Sequence, residues 1–360
     1  MPNLILDSLK IRNFRAFSDL ELPTLGRVNL ITGKNNVGKT CLLEALQLYA
    51  RQAHPFTIKH LLSNRDEASH LRGENASDPL LDMRNLFFGR LDLRQFPQTI
   101  EIGPINSEQV IRIGVGVGEN LNTPDNKDSY DKNVLDNTAY VVLSGMSGKY
   151  VFSLDSYLSA KESAMSFLSI KEIPNTFVWS KGVGSGTVTQ WWDNIALTDM
   201  EDSVISALQI LYPPIERINL INRKEGIAGR MPIVKVSNMS HPVPLRSLGE
   251  GINRMFGLIL SLTNSGGGML LVDEVETGLH YSVQADMWRL IFKVAKQLDV
   301  QVFATTHSYD CIKAFQKAAS EDQNEEAMLI RLQNKNGVIV PTEFDEEELQ
   351  IATQEDIEVR

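Results

Sequence analysis

Gly33-Lys34-Asn35-Asn36-Val37-Gly38-Lys39-Thr40 is the stretch that decides the fold. It meets the pattern G-x-x-x-x-G-K-[ST] at every fixed position. Before it, residues 27–32 (RVNLIT) run almost without polar interruption, as a buried strand does. After it, residues 39–49 predict a helix. Cys41, Leu42, Leu43, Leu46 and Leu48 form its apolar surface, and Glu44 and Gln47 are its polar points. The chemistry explains the spacing. Glycines let the backbone wrap a phosphate chain with its N–H groups turned inward, and the helix adds its positive N-terminal end. Residues Gly33 to Cys41 are therefore the expected nucleotide-binding loop. Within it, Lys39 reaches the β- and γ-phosphates, and the Thr40 hydroxyl is a ligand for Mg²⁺. Such a loop alone does not separate a kinase, a GTPase and an ATPase.

The second half of the chain narrows the choice. Residues 268–274 read GMLLVDE, an apolar strand ending in two acids. Asp273, at the strand's C-terminal end, is placed to hold the Mg²⁺ shell. Glu274 is placed to polarise an attacking water as general base. Adjacent acids at the end of a buried strand are costly unless a cation is near. Ser247, Gly249 and Gly251 open a helix just upstream and offer a second anion-binding surface. Residues 302–308 (VFATTHS) are another apolar strand, and His307 at its end can donate to a γ-phosphate or orient water.

From residue 214 the pattern is regular. Runs at 215–221 and 232–236 read as a hairpin pair. Helix 251–262, strand 269–273, helix 281–298, strand 300–305 and helix 308–319 follow, which means a parallel sheet covered by helices. Residues 4–11 read as an additional strand. Strand-like runs fall at 110–117, 140–143 and 150–154, with helices at 156–170 and 199–211, and a Gly/Asn/Asp/Pro-rich loop fills 118–133. The fold class expected is α/β: a mixed, mainly parallel sheet flanked by helices, with an antiparallel β subdomain and a helical and loop insertion. Residues 1–55 and 205–345 would form the head, 56–204 an inserted arm, and 346–360 an acidic tail.

Composition sets the outer limits. The chain has 360 residues, 42% hydrophobic and 22% charged, with 35 Lys+Arg against 45 Asp+Glu for a net charge of −10. That excludes collagen-like, disordered and disulfide-stapled classes. Residues 321–360 hold 12 acids and 3 bases, so nearly all the net charge lies there, and they read as a solvated acidic helix and end segment. No basic block marks a phosphate footprint. No apolar run reaches the ~18 residues of a membrane span, and no secretory signal is visible. Cys41 and Cys311 read as reduced core thiols, which points to a cytosolic location without membrane attachment.

In order, the P-loop, SLGEG, LLVDE and TTHS resemble an ATP-binding-cassette (ABC) type head. More narrowly, LKIRNFRAF, GKNNVGKTCLLEAL, SLGEGINR, LLVDEVETGLHYSVQ and FATTHSYDCIKAF resemble the RecF, SMC and OLD-family ATPases, the OLD group most. The resemblance covers roughly residues 1–50 and 200–320. It implies ATP and Mg²⁺ as cofactors, and two heads sandwiching two nucleotides in a homodimer or higher even-numbered oligomer. Lys39, Thr40, Asp273, Glu274 and His307 would come from one chain, and Ser247, Gly249 and Gly251 from the other. Arg12 and Asn13 would flank the nucleotide. Asn85, Gln95 and Gln98 are candidates for the family's Q-loop position. Residues 278–280 match its D-loop, with His280 where transporter heads carry Asp. Only 52 residues follow Ser308, too few for the ~100-residue Toprim nuclease domain of OLD proteins. A stand-alone ATPase is expected, acting on a separate effector (a nuclease or toxin) in anti-phage defence or DNA maintenance, with double-stranded DNA as a ligand. The alternatives are an ATP-bound scaffold with negligible turnover and a transporter subunit. The GLH segment and the lack of an aromatic A-loop match count against the transporter.

Overall fold

A computed structural model describes residues 4–68, 78–117, 139–145, 148–159, 172–222, 230–321, 327–345 and 348. Strands β1 (Leu9–Phe14), β2 (Phe17–Leu22) and β3 (Val28–Thr32) lead into helix α1 (Lys39–Ala50). Helices α2 (Pro55–Asn64) and α3 (Pro79–Met83) come next, each with proline in its first turn and a side-chain cap, from His54 and Asp78. Strands β4 (Gln98–Gly103), β5 (Ile111–Val117), β6 (Ala139–Gly145) and β7 (Gly148–Ser153) precede a short helix α4 (Leu154–Ser159). Then come β8 (Asn175–Val178), α5 (Ser185–Ile195), α6 (Asp199–Leu211), β9 (Ile215–Asn222), β10 (Arg230–Val236) and β11 (Val243–Pro244). The last third alternates: α7 (Glu250–Thr263), β12 (Met269–Val272), α8 (Tyr281–Gln297), β13 (Gln301–Thr305), α9 (Tyr309–Glu321), then β14 (Ala327–Lys335) and β15 (Val338–Phe344).

The central sheet runs β15-β14-β3-β13-β12-β8, parallel throughout except for β15 at its edge. Every residue of β3, β12 and β13 is buried, the signature of strands covered on both faces. Because successive side chains alternate faces, neighbours go to different cores. Ile31, Leu271, Phe303 and Ile330 join α1 and the β1–β2 region in one core. Leu30, Leu270, Val302 and Leu329 join Met255, Trp288 and Phe315 of helices α7, α8 and α9 in the other. Each fully buried side chain of this size contributes about 1.5–3 kcal/mol. A second, antiparallel sheet, β2-β1-β4-β5-β6-β7, packs over α1, and a small sheet, β11-β10-β9, lies in the second core.

Three features depart from the sequence reading. Residues 327–344, expected within a solvated acidic end segment, are the hairpin β14–β15, and β14 lies directly beside β3. The acids of this region crowd at its ends, while AMLIRL between them is apolar enough to be buried. The 346–360 tail lies outside the described residues apart from Glu348, as do the 118–133 loop and most of the helix expected at 156–170. The range 56–204, expected as an inserted arm, shares both sheets with the head. Strands β4–β7 extend the sheet begun by β1 and β2, and β8 is the edge strand of the parallel sheet. The first strand begins at Leu9, not at residue 4.

Candidate functional site

The P-loop leaves the C-terminal end of β3 through two glycines whose conformations other residues resist. Gly33 has φ +138°, and a Cβ there would lie 2.4 Å from the Leu332 carbonyl oxygen of β14. Gly38 has φ +89°, and a Cβ would lie 2.9 Å from Cζ of Phe17. The loop is thus clasped between both sheets. Gly38 also caps α1 without a side-chain hydrogen bond, so the first-turn N–H groups meet the loop interior with no protein side chain capping them. Lys39 Nζ donates to the carbonyl oxygens of Gly33 (2.6 Å) and Lys34 (3.1 Å), which folds the ammonium into the loop.

Strand β13 lies between β3 and β12, so the P-loop, Thr305–His307 and Asp273–Glu274 leave the same edge of three adjacent strands. The Thr40 hydroxyl donates to Asp273, 3.2 Å from Oδ1. The Thr305 hydroxyl donates to the same Oδ1 at 2.8 Å and accepts the Glu274 N–H at 2.8 Å. Burial pushes the Asp273 carboxyl above its ordinary range, and the Thr305 and Thr40 hydroxyls pull it back only in part. Glu274 adopts φ +49°, a strained backbone for a residue with a Cβ. It is held there by Arg254 of α7, whose guanidinium donates to the carbonyl oxygens of Asp273 (3.1 Å), Glu274 (3.2 Å) and Trp179 (2.9 Å). Burial pushes the Arg254 pKa down, and the Asp273, Glu276 and Glu274 carboxylates oppose that.

Glu274 is half-exposed. Its Oε2 accepts the Thr277 hydroxyl at 3.3 Å, and its Oε1 lies 3.7 Å from His307 Nδ1. The sequence-expected set Lys39, Thr40, Asp273, Glu274 and His307 is therefore linked by direct contacts, apart from Lys39, which precedes Thr40 on α1. Oxygen-only donors at the Thr40–Asp273 contact suit a hard divalent cation.

A cavity of about 600 Å³ opens at this point, lined by Asn35, Asn36, Gly38, Lys39, Thr40, Cys41, Asp273 and Glu274. Sequence reasoning missed three of its cations, Arg15, Arg65 and Arg90. Arg15 Nε lies 2.8 Å from Glu44 Oε2 and its Nη1 2.8 Å from Glu67, while Arg65 pairs with the other Glu44 oxygen at 2.8 Å. Glu44, read as a polar point of α1, is fully buried beneath them. The available signal was its place on the α1 face shared with Cys41. Burial pushes the Cys41 thiol up, and Arg65 offsets this in part.

Other expected residues lie elsewhere. Arg12 points away from the cavity, paired with Asp19 at 3.0 Å and Glu101 at 3.6 Å on the antiparallel sheet. The β-strand alternation that exposes Arg12 sends Arg15, beyond the strand end, inward instead. Asn13 donates to Gln98 and to the Thr99 carbonyl, so it and one Q-loop candidate face each other on that sheet. Of the three Q-loop candidates, Asn85 alone lines the cavity; Gln95 is exposed. Ser247 and Gly249 lie in the turn before α7 and Gly251 in its first turn, and none of the three lines the P-loop cavity. Their neighbours Arg246, Glu250 and Asn253, not the three themselves, line a separate cavity of about 510 Å³ between α7, β10 and the start of α5. His280 caps α8 by accepting the Ser282 N–H, and its ring packs on exposed Tyr281.

Comparison with known proteins agrees with this geometry. Residues 5–144 match a family profile described as "AAA ATPase domain", and residues 201–310 match "AAA domain, putative AbiEii toxin, Type IV TA system". Both halves of the chain thus match AAA-type ATPase domains. An "ATP/GTP phosphatase" of Helicobacter pylori is 23% identical across 96% of this chain and 97% of its own length. The "DNA replication and repair protein RecF" of Rickettsia prowazekii is 45% identical, but over 49 residues and 14% of each chain. Among solved structures, the ATPase superposes on an SMC head bound to the C-terminal winged-helix domain of ScpA. That match has TM-score 0.50 at 12% identity and covers 95% of this chain and 98% of the other. An SMC head from Pyrococcus furiosus gives TM-score 0.50 at 10% identity over 98% and 99%. The fold is thus that of an ABC-type P-loop head, and the ATPase binds and hydrolyses ATP. No helix among the described residues is long and apolar enough to cross a membrane.

Proposed function

We propose that the ATPase hydrolyses ATP in the cavity at the edge of β3, β13 and β12, and that a second copy completes each site. The observation that carries this reading is the chain of contacts from Thr40 through Asp273 and Thr305 to Glu274. In it, the P-loop N–H groups and Lys39 bind the β- and γ-phosphates. Arg15 and Arg65 add positive charge at the cavity wall. Thr40 and Asp273 would hold Mg²⁺, which when bound neutralises phosphate charge. Glu274 orients water for attack on the γ-phosphorus and accepts its proton, and His307 steadies the γ-phosphate. Release of ADP and phosphate resets the site.

Ser247, Gly249 and Gly251 lie off this cavity in their own chain, which supports their use on a partner's nucleotide. The likeness to SMC heads over nearly the whole chain supports the same arrangement. The local similarity to RecF supports a role linked to nucleic acid, and the match to a profile described as a putative AbiEii toxin of a type IV TA system supports a place in a toxin–antitoxin pair.

The test compares wild type with Glu274→Gln and Lys39→Ala for ATP hydrolysis and oligomeric state, with and without double-stranded DNA. Glu274→Gln should bind ATP, accumulate as an ATP-held dimer and lose at least about 100-fold in turnover. Lys39→Ala should lose nucleotide binding. Wild-type turnover in Glu274→Gln would refute the assignment of the base, and a monomer under saturating ATP would refute the paired head.

A further inference from the structure

Glu276 is a buried carboxylate that the phosphate chemistry above does not use; it is 8% exposed. It lies three residues beyond Asp273, in the turns that follow β12. Its Oε1 accepts the His307 N–H at 3.3 Å and lies 3.6 Å from His307 Nδ1. Glu274 Oε1 stands 3.7 Å from the same nitrogen. The other oxygen of Glu276, Oε2, is buried with no hydrogen-bond partner among the described residues. Burying an unmatched polar oxygen costs stability, so Glu276 is held at this place against the interest of the fold alone.

A carboxylate only accepts hydrogen bonds, so an imidazole nitrogen facing two of them carries the proton. Which nitrogen of a histidine is protonated is set by the partner of the other face of the ring. We propose that Glu276 is a positioning residue for His307: it fixes the ring with its proton on Nδ1 and leaves Nε2 as the nitrogen available to the substrate. Because Glu276 also engages the His307 backbone, it anchors the ring from below. Glu274 is then free to turn its carboxylate to water instead of serving as the histidine's partner. This inference rests on the reading of His307 as part of the hydrolytic set.

The experiment uses the full chain labelled with ¹⁵N-histidine, and reads the tautomer of His307 from long-range ¹H–¹⁵N correlations. Among the six histidines, the His307 signals are those lost in His307→Asn. Wild type should show the Nδ1–H form. Glu276→Gln, whose amide can donate to Nδ1, should move the ring toward Nε2–H. Its kcat should fall about tenfold while the KM for ATP stays within about twofold. Glu276→Asp should shift the same signals and restore part of the rate, and it supplies the readout if the glutamine variant does not fold. In the His307→Asn background, Glu276→Gln should cost less than a further twofold or so. An unchanged tautomer in a variant that still binds ATP overturns the proposal. So does a full loss of kcat repeated in the His307→Asn background. Wild-type hydrolysis by His307→Asn would instead remove His307 from the hydrolytic set, and the tautomer shift would still report the Glu276 contact.

Discussion

Exchange of Glu44 for glutamine removes one charge from a place where water cannot replace it. Glu44 is fully buried, and its two oxygens lie 2.8 Å from Arg15 and 2.8 Å from Arg65. Burial raises its pKa, and the two guanidiniums oppose that rise. The Arg15 side chain is only 3% exposed, so it cannot recover its hydration when the carboxylate goes. Breaking a buried pair from one side costs about 3–5 kcal/mol. Arg15 keeps Glu67 at 2.8 Å, and the Arg65 side chain is 33% exposed, so the lower end applies. The expected loss is about 3 kcal/mol, read as a lower midpoint in urea unfolding with the slope unchanged. ATP affinity should fall as well, because Arg15 and Arg65 line the cavity. A loss below about 1 kcal/mol with native slope would refute the argument, since it would show that the arginines find other partners.

Three further outcomes follow from the same geometry. Gly38→Ala should weaken ATP binding at least about tenfold in a folded protein, measured by calorimetry, because φ +89° and the Phe17 ring both oppose a Cβ. Asp273→Asn should abolish hydrolysis yet raise the melting temperature of the nucleotide-free protein at neutral pH. Burial raises the Asp273 pKa in the folded state, so its charge opposes folding above that value; the gain should fade as pH falls toward the unfolded value of about 3.9. Leu329→Ala should cost about 3 kcal/mol in unfolding experiments, because β14 is an interior strand of the central sheet; a loss under about 1 kcal/mol would place it outside the core.

The readable parts of the sequence were those where one local rule decides the structure. β3, β12 and β13 are uninterrupted apolar runs, and covering both faces of a strand requires that pattern. α6 matches its expected bounds because Thr198 caps it and its apolar spacing is helical. The candidate site's edge was legible because its residues sit immediately after those strands. What was not legible depends on partners distant in sequence. Arg15 enters the cavity only because β1 ends at Phe14 and the chain turns against Leu86. Glu44 looks like a solvent point on a helix until Arg15 and Arg65, 29 and 21 residues away, close over it. The 327–344 hairpin was obscured by flanking acids that set the charge of the window but not the burial of AMLIRL. Arg254 gave no signal, since its role is to bind backbone carbonyls.

The position of β3 sets an order on synthesis. Its neighbours on either side are β13 and β14, with Val28 opposite Val302 in one and Ala327 in the other. A nascent chain that has emerged only through its first 300 residues has the whole P-loop sequence but neither flanking strand. The loop also lacks the Leu332 carbonyl that backs Gly33. Long-range pairings of this kind form late and slowly. Nucleotide binding should therefore appear only once β13 and β14 have joined β3, and a product terminated before residue 300 should not compete for ATP.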